Sequence, residues 1–338
     1  MSPAPTGGRG LIRAALDIVA DNWTLLILRE LFMGARQWSD FTIWLNIPPA
    51  TLNARLKQLV RAECIAKDQA PRGGAPSYEL TEKGRDLFPV QMAMREWQLR
   101  WHPREGAWVT PWVHACGQPL RCHTVCHACG NDVQAGEIKL SERSPTLSHA
   151  AAPAHKRRVS SVAGPDRRSS SLQAARVVEM WGDRCATLIM AALLRGCRKF
   201  DEIDQWTGLP PATLARRLRK LQILGLVQMR LYQERSDRYE YYPSVAGAEL
   251  FAPTLELYRW AERWLARQSG PLATHIPCGQ PLVADLLCQH CNGPVSLDNT
   301  HLDPSVMARV DAYRSVFANA RMIADGASPS ELPPLSCE

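Results

Sequence analysis

The chain has 338 residues, with 40 Lys and Arg against 33 Asp and Glu for a formal charge of +7, and 46% of it is apolar and 22% charged. That is too long for one ordinary compact domain of roughly 100–150 residues, and the composition is globular, so two or more domains can each build a core and disorder is expected to be local. The positive balance suits a polyanionic partner without requiring one, and Met1 to Gly10 lacks the apolar core of a signal peptide. No later stretch approaches the roughly 18 apolar residues of a membrane span, so a cytoplasmic protein without a membrane partner is expected.

Residues 1–10 read as a flexible N-terminus. Trp23 to Phe32 then carries apolar residues at helical spacing and stops near Gly34, a C-cap glycine. A short helix is predicted from about Ser39, an N-cap residue, to Leu45. Pro48 and Pro49 start a third helix that runs to about Glu63, with Leu52, Leu56 and Leu59 on one stripe and Ala50, Asn53, Ala54, Lys57, Gln58 and Arg61 on or near the other side. Cys64 to Asp68, a turn at Pro71 to Pro76 and Ser77 to Leu80 read as a two-stranded hairpin. A last helix, Gly84 to Trp101, spaces Leu87, Val90, Met94, Trp97 and Trp101 by threes and fours, as in a helix that pairs with another.

The same plan then recurs. Ile47-Pro48-Pro49-Ala50-Thr51-Leu52 returns as Leu209-Pro210-Pro211-Ala212-Thr213-Leu214, a shift of 162 positions from Pro48 to Pro210 that also superposes Asp21 on Asp183, Trp44 on Trp206 and Arg55 on Arg217. After one inserted residue Tyr78 meets Tyr241, Trp97 meets Trp260 and Trp101 meets Trp264, and Cys-Gly-Gln-Pro-Leu closes both copies at Cys116 and at Cys278. A period of this size means duplicated domains and not a solenoid. In the second copy the outer face of the third helix becomes Ala212, Ala215, Arg216, Arg219, Lys220 and Ile223, and its hairpin tip is Gln233 to Arg238. Residues 141–171, rich in Ser, Ala, Pro and Arg, read as a flexible basic linker whose charges either track phosphates or are simply solvated.

Seven of the 11 cysteines fall in two short clusters. His114-x-Cys116 precedes Cys126-x-x-Cys129, and His275-x-x-Cys278 precedes Cys288-x-x-Cys291. Three thiolates and an imidazole are what tetrahedral zinc prefers, and four protein ligands leave no open position for a reactive water. Two structural zinc ions per chain are expected, one on His114, Cys116, Cys126 and Cys129 and one on His275, Cys278, Cys288 and Cys291. Cys122, His123 and His127 fall opposite Ala284, Asp285 and Gln289 and so drop out of the shared set. Inert thiols and a redox switch are the competing readings of these clusters.

Trp-Thr-Leu-Leu-Ile-Leu-Arg-Glu-Leu at Trp23 to Leu31, Arg-Leu-Lys-Gln-Leu at Arg55 to Leu59 and Tyr-Glu-Leu-Thr-Glu-Lys-Gly at Tyr78 to Gly84 together resemble the HxlR-type family of winged helix-turn-helix regulators. The resemblance covers about 11–101 well and 172–265 more loosely; Cys185 stands at the Trp23 position, Met190 and Ala192 in the opening helix, and Ser244 to Gly247 where Thr-Glu-Lys-Gly would be. It implies winged-helix domains at 11–104 and 172–268, so a mainly α fold with small β-hairpins is expected; the cysteine spacing adds zinc-ribbon-like segments at 105–140 and 269–300, and the tail at 301–338 is expected to be helical in part.

The resemblance further implies that the third helix enters the DNA major groove while the hairpin wing lies along the backbone or minor groove. Lys57, Arg61, Arg216, Arg219 and Lys220 are then candidates for phosphates, and Thr51, Asn53, Gln58, Thr213 and Arg216 for base edges. Arg72, Arg235 and Arg238 are the wing candidates, whereas Arg55 and Arg217, beside the Leu stripe, suit a structural role. Family members pair through their terminal helices, so the tandem chain is expected either to form an internal pseudo-dimer, with Trp97 and Trp101 packed against Trp260 and Trp264, or to make a homodimer; burial of these Trp residues within their own domain is the alternative. The expected function is sequence-specific binding of double-stranded DNA in transcription regulation. The competing functions are a zinc-dependent protein-interaction adaptor and a thiol-based redox-sensing regulator. An enzyme is not expected, since neither a Gly-rich phosphate loop nor a nucleophile–base arrangement is found.

Overall fold

A computed structural model describes residues 9–68, 76–103, 111–140, 176–233, 238–266 and 273–305. The first copy runs α1 (Arg9–Val19), α2 (Asn22–Phe32), α3 (Trp38–Leu45), α4 (Pro49–Arg61), β1 (Ile65–Asp68), β2 (Ser77–Leu80), α5 (Glu82–Arg85), α6 (Phe88–Trp101), β3 (Trp112–His114), β4 (Cys122–Cys126) and β5 (Ile138–Leu140). The second repeats it as α7 (Arg176–Trp181), α8 (Arg184–Leu194), α9 (Phe200–Thr207), α10 (Pro211–Ile223), β6 (Val227–Gln233), β7 (Arg238–Pro243), α11 (Val245–Glu249), α12 (Phe251–Leu265), β8 (Ala273–His275), β9 (Ala284–Cys288) and β10 (Thr300–Leu302). The chain is mainly helical with small antiparallel strand pairs, β1 with β2 and β6 with β7 within each copy.

Local chemistry sets most boundaries. Asp21 caps α2 and Asp183 caps α8 through their side chains, and Gly34, at φ 96°, supplies the left-handed residue that ends α2. α3 is capped two residues before the expected Ser39, on Gln37, because Asp40 reaches back to the backbone N–H groups of Arg36 and Gln37. The predicted helix from Gly84 to Trp101 is two helices. Thr81 caps the short α5 through the Gly84 N–H, and Pro89, with no N–H to give, sits in the first turn of a new helix, α6. α1 and α7 were not anticipated as helices, and α1 begins inside the stretch expected to be flexible. The linker at 141–171, the wing tips carrying Arg72 and Arg235, and the tail from 306 onward lie outside the described residues.

The two copies share one core. α1 of the first copy packs on α12 of the second, α6 on both α7 and α12, and α2 on α7. The Trp97 indole donates to the Ala246 carbonyl at 2.8 Å and the Trp260 indole to the Lys83 carbonyl at 2.9 Å, so equivalent donors meet equivalent acceptors across the copies. Trp101 and Trp264 repeat the exchange, donating at 2.8 Å to Glu249 and Asp86. All four indoles therefore hydrogen-bond to the short helix, or its end, in the other copy. A backbone bridge pairs Asp21 with its own equivalent Asp183, which puts a local pseudo-two-fold axis between them.

Candidate functional site

That axis also runs through the segments that follow α6 and α12. β4 pairs with β9 so that Thr124 faces its own equivalent Leu286, Cys126 faces Ala284, and Cys122 faces Cys288. β3 pairs with β10 and β5 with β8, again each with the other copy. The expected separate ribbons are thus one interwoven module. Its register carries each Cys-x-x-Cys turn away from the His of its own copy and beside the His of the other.

The eight expected ligands do converge, in crossed sets. His114 and Cys116 gather with Cys288 and Cys291, and Cys126 and Cys129 with His275 and Cys278, the candidate ligand atoms of each set lying within 4.8 Å of one another. The grouping by copy expected from the sequence is therefore corrected: each cluster takes two ligands from each copy. Measured separations are 3.3 Å for Cys291 Sγ to His114 Nδ1, 3.4 and 3.3 Å for Cys129 and Cys278 Sγ to His275 Nδ1, and 4.0 Å for Cys126 Sγ to Cys278 Sγ. A tetrahedral ion with Zn–S near 2.3 Å and Zn–N near 2.0 Å separates its ligands by about 3.4–3.8 Å, so the donor sets fit such an ion.

Local backbone holds the sulfurs in place. Gly117, Gly130, Asn292 and Gly279, each one residue after a ligand cysteine, adopt left-handed conformations, and the Gly130 and Asn292 N–H groups close tight turns on the carbonyls of Cys126 and Cys288. His114 keeps Nδ1 toward the cluster while its Nε2 lies 3.2 Å from the Pro294 carbonyl; the Nε2 of His275 lies 3.8 Å from Glu137. The Pro294 carbonyl fixes the His114 tautomer that leaves Nδ1 free to ligate, whereas the His275 Nε2 has no hydrogen-bond partner among the described residues. The Cys116 thiol is lowered to about 7, chiefly by its hydrogen bond to His114, and the Cys278 thiol to about 7, chiefly by the backbone N–H of Gln280. Sequence spacing pointed to neither Pro294 nor Glu137. The cysteines left out of the shared sets behave differently: Cys122 is buried with its pKa pushed up by burial, and burial raises Cys64 to about 12. His127 pairs with Asp285 at 2.7 Å and His123 with Asp132 at 2.6 Å.

α4 and α10 bury Leu52, Leu56 and Leu59, and Leu214, Leu218 and Leu221, against their own copies. Lys57, Arg61, Arg216, Arg219 and Arg238 are exposed, while Thr51 and Thr213 are half-buried. Three candidates are spent elsewhere. The Gln58 amide donates to the Asp17 and Ile18 carbonyls at 2.9 and 3.1 Å, tying α4 to α1. Its equivalent Lys220 does the same toward α7, with Nζ 3.3 Å from the Glu179 carbonyl and 3.6 Å from Asp183. The Asn53 carbonyl accepts from the Trp38 indole at 3.1 Å, which takes up one lone pair of the acceptor that a paired contact to adenine would use. Arg55 forks onto Asp21 at 2.6 and 2.7 Å and Arg217 approaches Asp183 at 3.0 Å, each locking its helix to the cap of the opening helix.

The HxlR-like helix-turn-helix family model matches residues 18–106 and again 180–269, more than half of the chain. The chain belongs to the HxlR-like helix-turn-helix family. Similar HxlR-like relatives include an uncharacterized HTH-type transcriptional regulator of Mycobacterium tuberculosis, 37% identical over 128 residues that make up 37% of this chain and 80% of that protein. YvaP of Bacillus subtilis, also an uncharacterized HTH-type transcriptional regulator, is 30% identical over 89 residues, 26% of this chain and 82% of its own length. A solved structure described as a candidate transcription factor from Pseudomonas aeruginosa is 30% identical, covers 37% of this chain and 86% of that one, and has a TM-score of 0.29. Each of these matches covers less than half of this chain. Among the described residues no helix is long and apolar enough to cross a membrane.

Proposed function

We propose that this HxlR-like chain is a sequence-specific DNA-binding regulator of transcription that carries two winged-helix reading heads in one polypeptide, joined as an internal pseudo-dimer and clamped by two structural zinc ions. The observation that carries the reading is the pair of equivalent helices, α4 and α10, which bury a Leu stripe and leave Lys57, Arg216 and Arg219 exposed. Those cations suit phosphates, and Arg216 also suits a guanine edge, with Thr51 and Thr213 beside it. The similarity to HTH-type transcriptional regulators supports the same class. The crossed indole hydrogen bonds support the internal pseudo-dimer, since single-copy relatives would need two chains to make them. Zinc is favoured by the donor chemistry, three sulfurs and one imidazole per site.

The raised pKa values of Cys64, Cys122, Cys185 and Cys197, all caused first by burial, make poor nucleophiles, so a redox-sensing alternative would have to work through the two Cys/His clusters. The adaptor reading predicts no salt-dependent DNA affinity and is tested by the same experiment. Fluorescence anisotropy with a mixed-sequence duplex across a salt series should give a steep log–log slope. Replacing Lys57, Arg216 and Arg219 together by Ala should flatten that slope by roughly 2–3 units, at about 0.9 per phosphate contact. Gln58→Ala and Lys220→Ala should instead lower thermal stability and leave the slope alone. An unchanged slope in the triple variant overturns the reading.

A further inference from the structure

The two copies differ most usefully where α6 and α12 meet the Cys/His module. In the first copy this corner is filled by three rings: Phe32 and Phe88 lie edge to face with centroids 5.3 Å apart, and Phe88 and Trp112 likewise at 5.1 Å. The equivalents in the second copy are Leu194, Phe251 and Ala273. The correspondence of Trp112 with Ala273 is fixed by the backbone, because Leu120 N–H donates to the Trp112 carbonyl as Leu282 N–H does to that of Ala273. Two of three rings are therefore gone, and a pocket stands there. Leu194, Phe251 and Ala273 line it together with Ile12, Ile138, Trp206 and Tyr258.

Its walls are apolar except at one corner. Arg195, where the first copy has Met33, lines the same pocket, and its guanidinium lies over the Trp206 ring at 5.8 Å from the centroid. The Nε and Nη2 of Arg195 and the Nε1 of Trp206 have no hydrogen-bond partner among the described residues, while another edge of the guanidinium meets the Tyr258 hydroxyl. Buried donors left unpaired are costly, so an acceptor that reaches them is favoured. An apolar slot with the room of a missing indole, edged by a cation and unpaired N–H donors, specifies its ligand.

We propose that this pocket binds a small aromatic carboxylate, its ring or fused rings between Phe251, Leu194 and Ala273 and its carboxylate on Arg195 and Trp206. The site draws on α1 of the first copy, β5 of the interwoven module and α8, α9 and α12 of the second, so an occupant would touch all three bodies at once. This goes beyond the DNA-binding reading and does not depend on it, because the test reads the ligand directly.

Isothermal titration and ligand-observed NMR with indole-3-carboxylate, and with neutral indole as its control, should show saturable binding with the acid tighter. Arg195→Met, the residue of the other copy, should cost the acid roughly tenfold or more, the worth of a charge-assisted hydrogen bond, and bring it to the level of indole. Ala273→Trp should abolish binding of both while preserving the melting temperature; if it loses helical circular dichroism, Leu194→Phe serves as the filling variant. Absence of saturable binding to the unsubstituted chain, or binding indifferent to the filling variants, overturns the proposal.

Discussion

Crossed metal sites make a prediction that ligands grouped by copy cannot. If His114 and Cys116 share an ion with Cys288 and Cys291, then Cys116→Ser with Cys291→Ser damages a single site and one zinc per chain remains. Cys116→Ser with Cys126→Ser damages both sites, and no zinc remains. Grouping by copy reverses the two outcomes. The energies differ as well. A link from Cys116 to Cys288 closes a loop of about 170 residues, which in the chain-entropy treatment contributes about 5 kcal/mol, whereas a link from Cys116 to Cys129 closes about 13 residues and contributes about 3 kcal/mol. The first crossed site to form should therefore stabilise the joint between copies by about 2 kcal/mol more than a local site would, and the second, which then closes only a short loop, should add no such excess. The assay is metal content by plasma mass spectrometry on chelator-free protein, alongside thermal melts. Loss of both ions in the Cys116/Cys291 pair, with one kept in the Cys116/Cys126 pair, would refute the crossed arrangement.

Two further outcomes follow from close packing and burial. A Cβ on Gly84 would stand 1.9 Å from the Cys64 carbonyl oxygen and one on Gly247 2.1 Å from that of Leu226, so Gly84→Ala and Gly247→Ala should each cost about 1–3 kcal/mol in a denaturant melt, whereas Gly136→Ala, which meets nothing, should be neutral. Burial raises the Glu256 carboxyl from 4.5 to about 7, with Arg259 opposing and Asp86 and Asp285 adding to the rise. The folded chain then holds a proton that the unfolded chain has released, so stability is full below about pH 4.5 and falls as pH rises toward about 7. Melting temperatures across that window should fall more steeply for the unsubstituted chain than for Glu256→Gln, and parallel profiles would contradict the assignment.

Much of the fold was legible because it is written in local signals. The Leu stripes, the proline pair before each third helix, the hairpin and the Cys-x-x-Cys turns all appear where spacing predicted, and duplication doubled each signal. The eight Cys and His residues that converge were legible for the same reason. Their partition was not, since residue spacing says which side chains can bind an ion and nothing about which strand lies opposite. The register of β4 on β9 decides that, and it is a long-range property. The inward turn of Gln58 and Lys220 was hidden by α1 and α7, helices whose apolar faces are buried partly against the other copy. Without those helices the face of α4 reads as wider than it is. The Trp residues were expected either at the interface or buried within their own domain, and their hydrogen bonds reach the opposite short helix, α5 or α11, which the sequence pattern merges with the long helix that follows.

The central claim is that two equivalent reading helices face one DNA across a pseudo-two-fold axis. Sequencing the genomic fragments retained by purified, metal-loaded protein tests it most directly. The account predicts an enriched motif of two inverted half-sites with centres about 10 base pairs apart or a multiple of that, one half-site degrading in Lys57→Ala and the other in Arg216→Ala with Arg219→Ala. Fragments with no shared motif, or a single half-site unaffected by either variant, would contradict it.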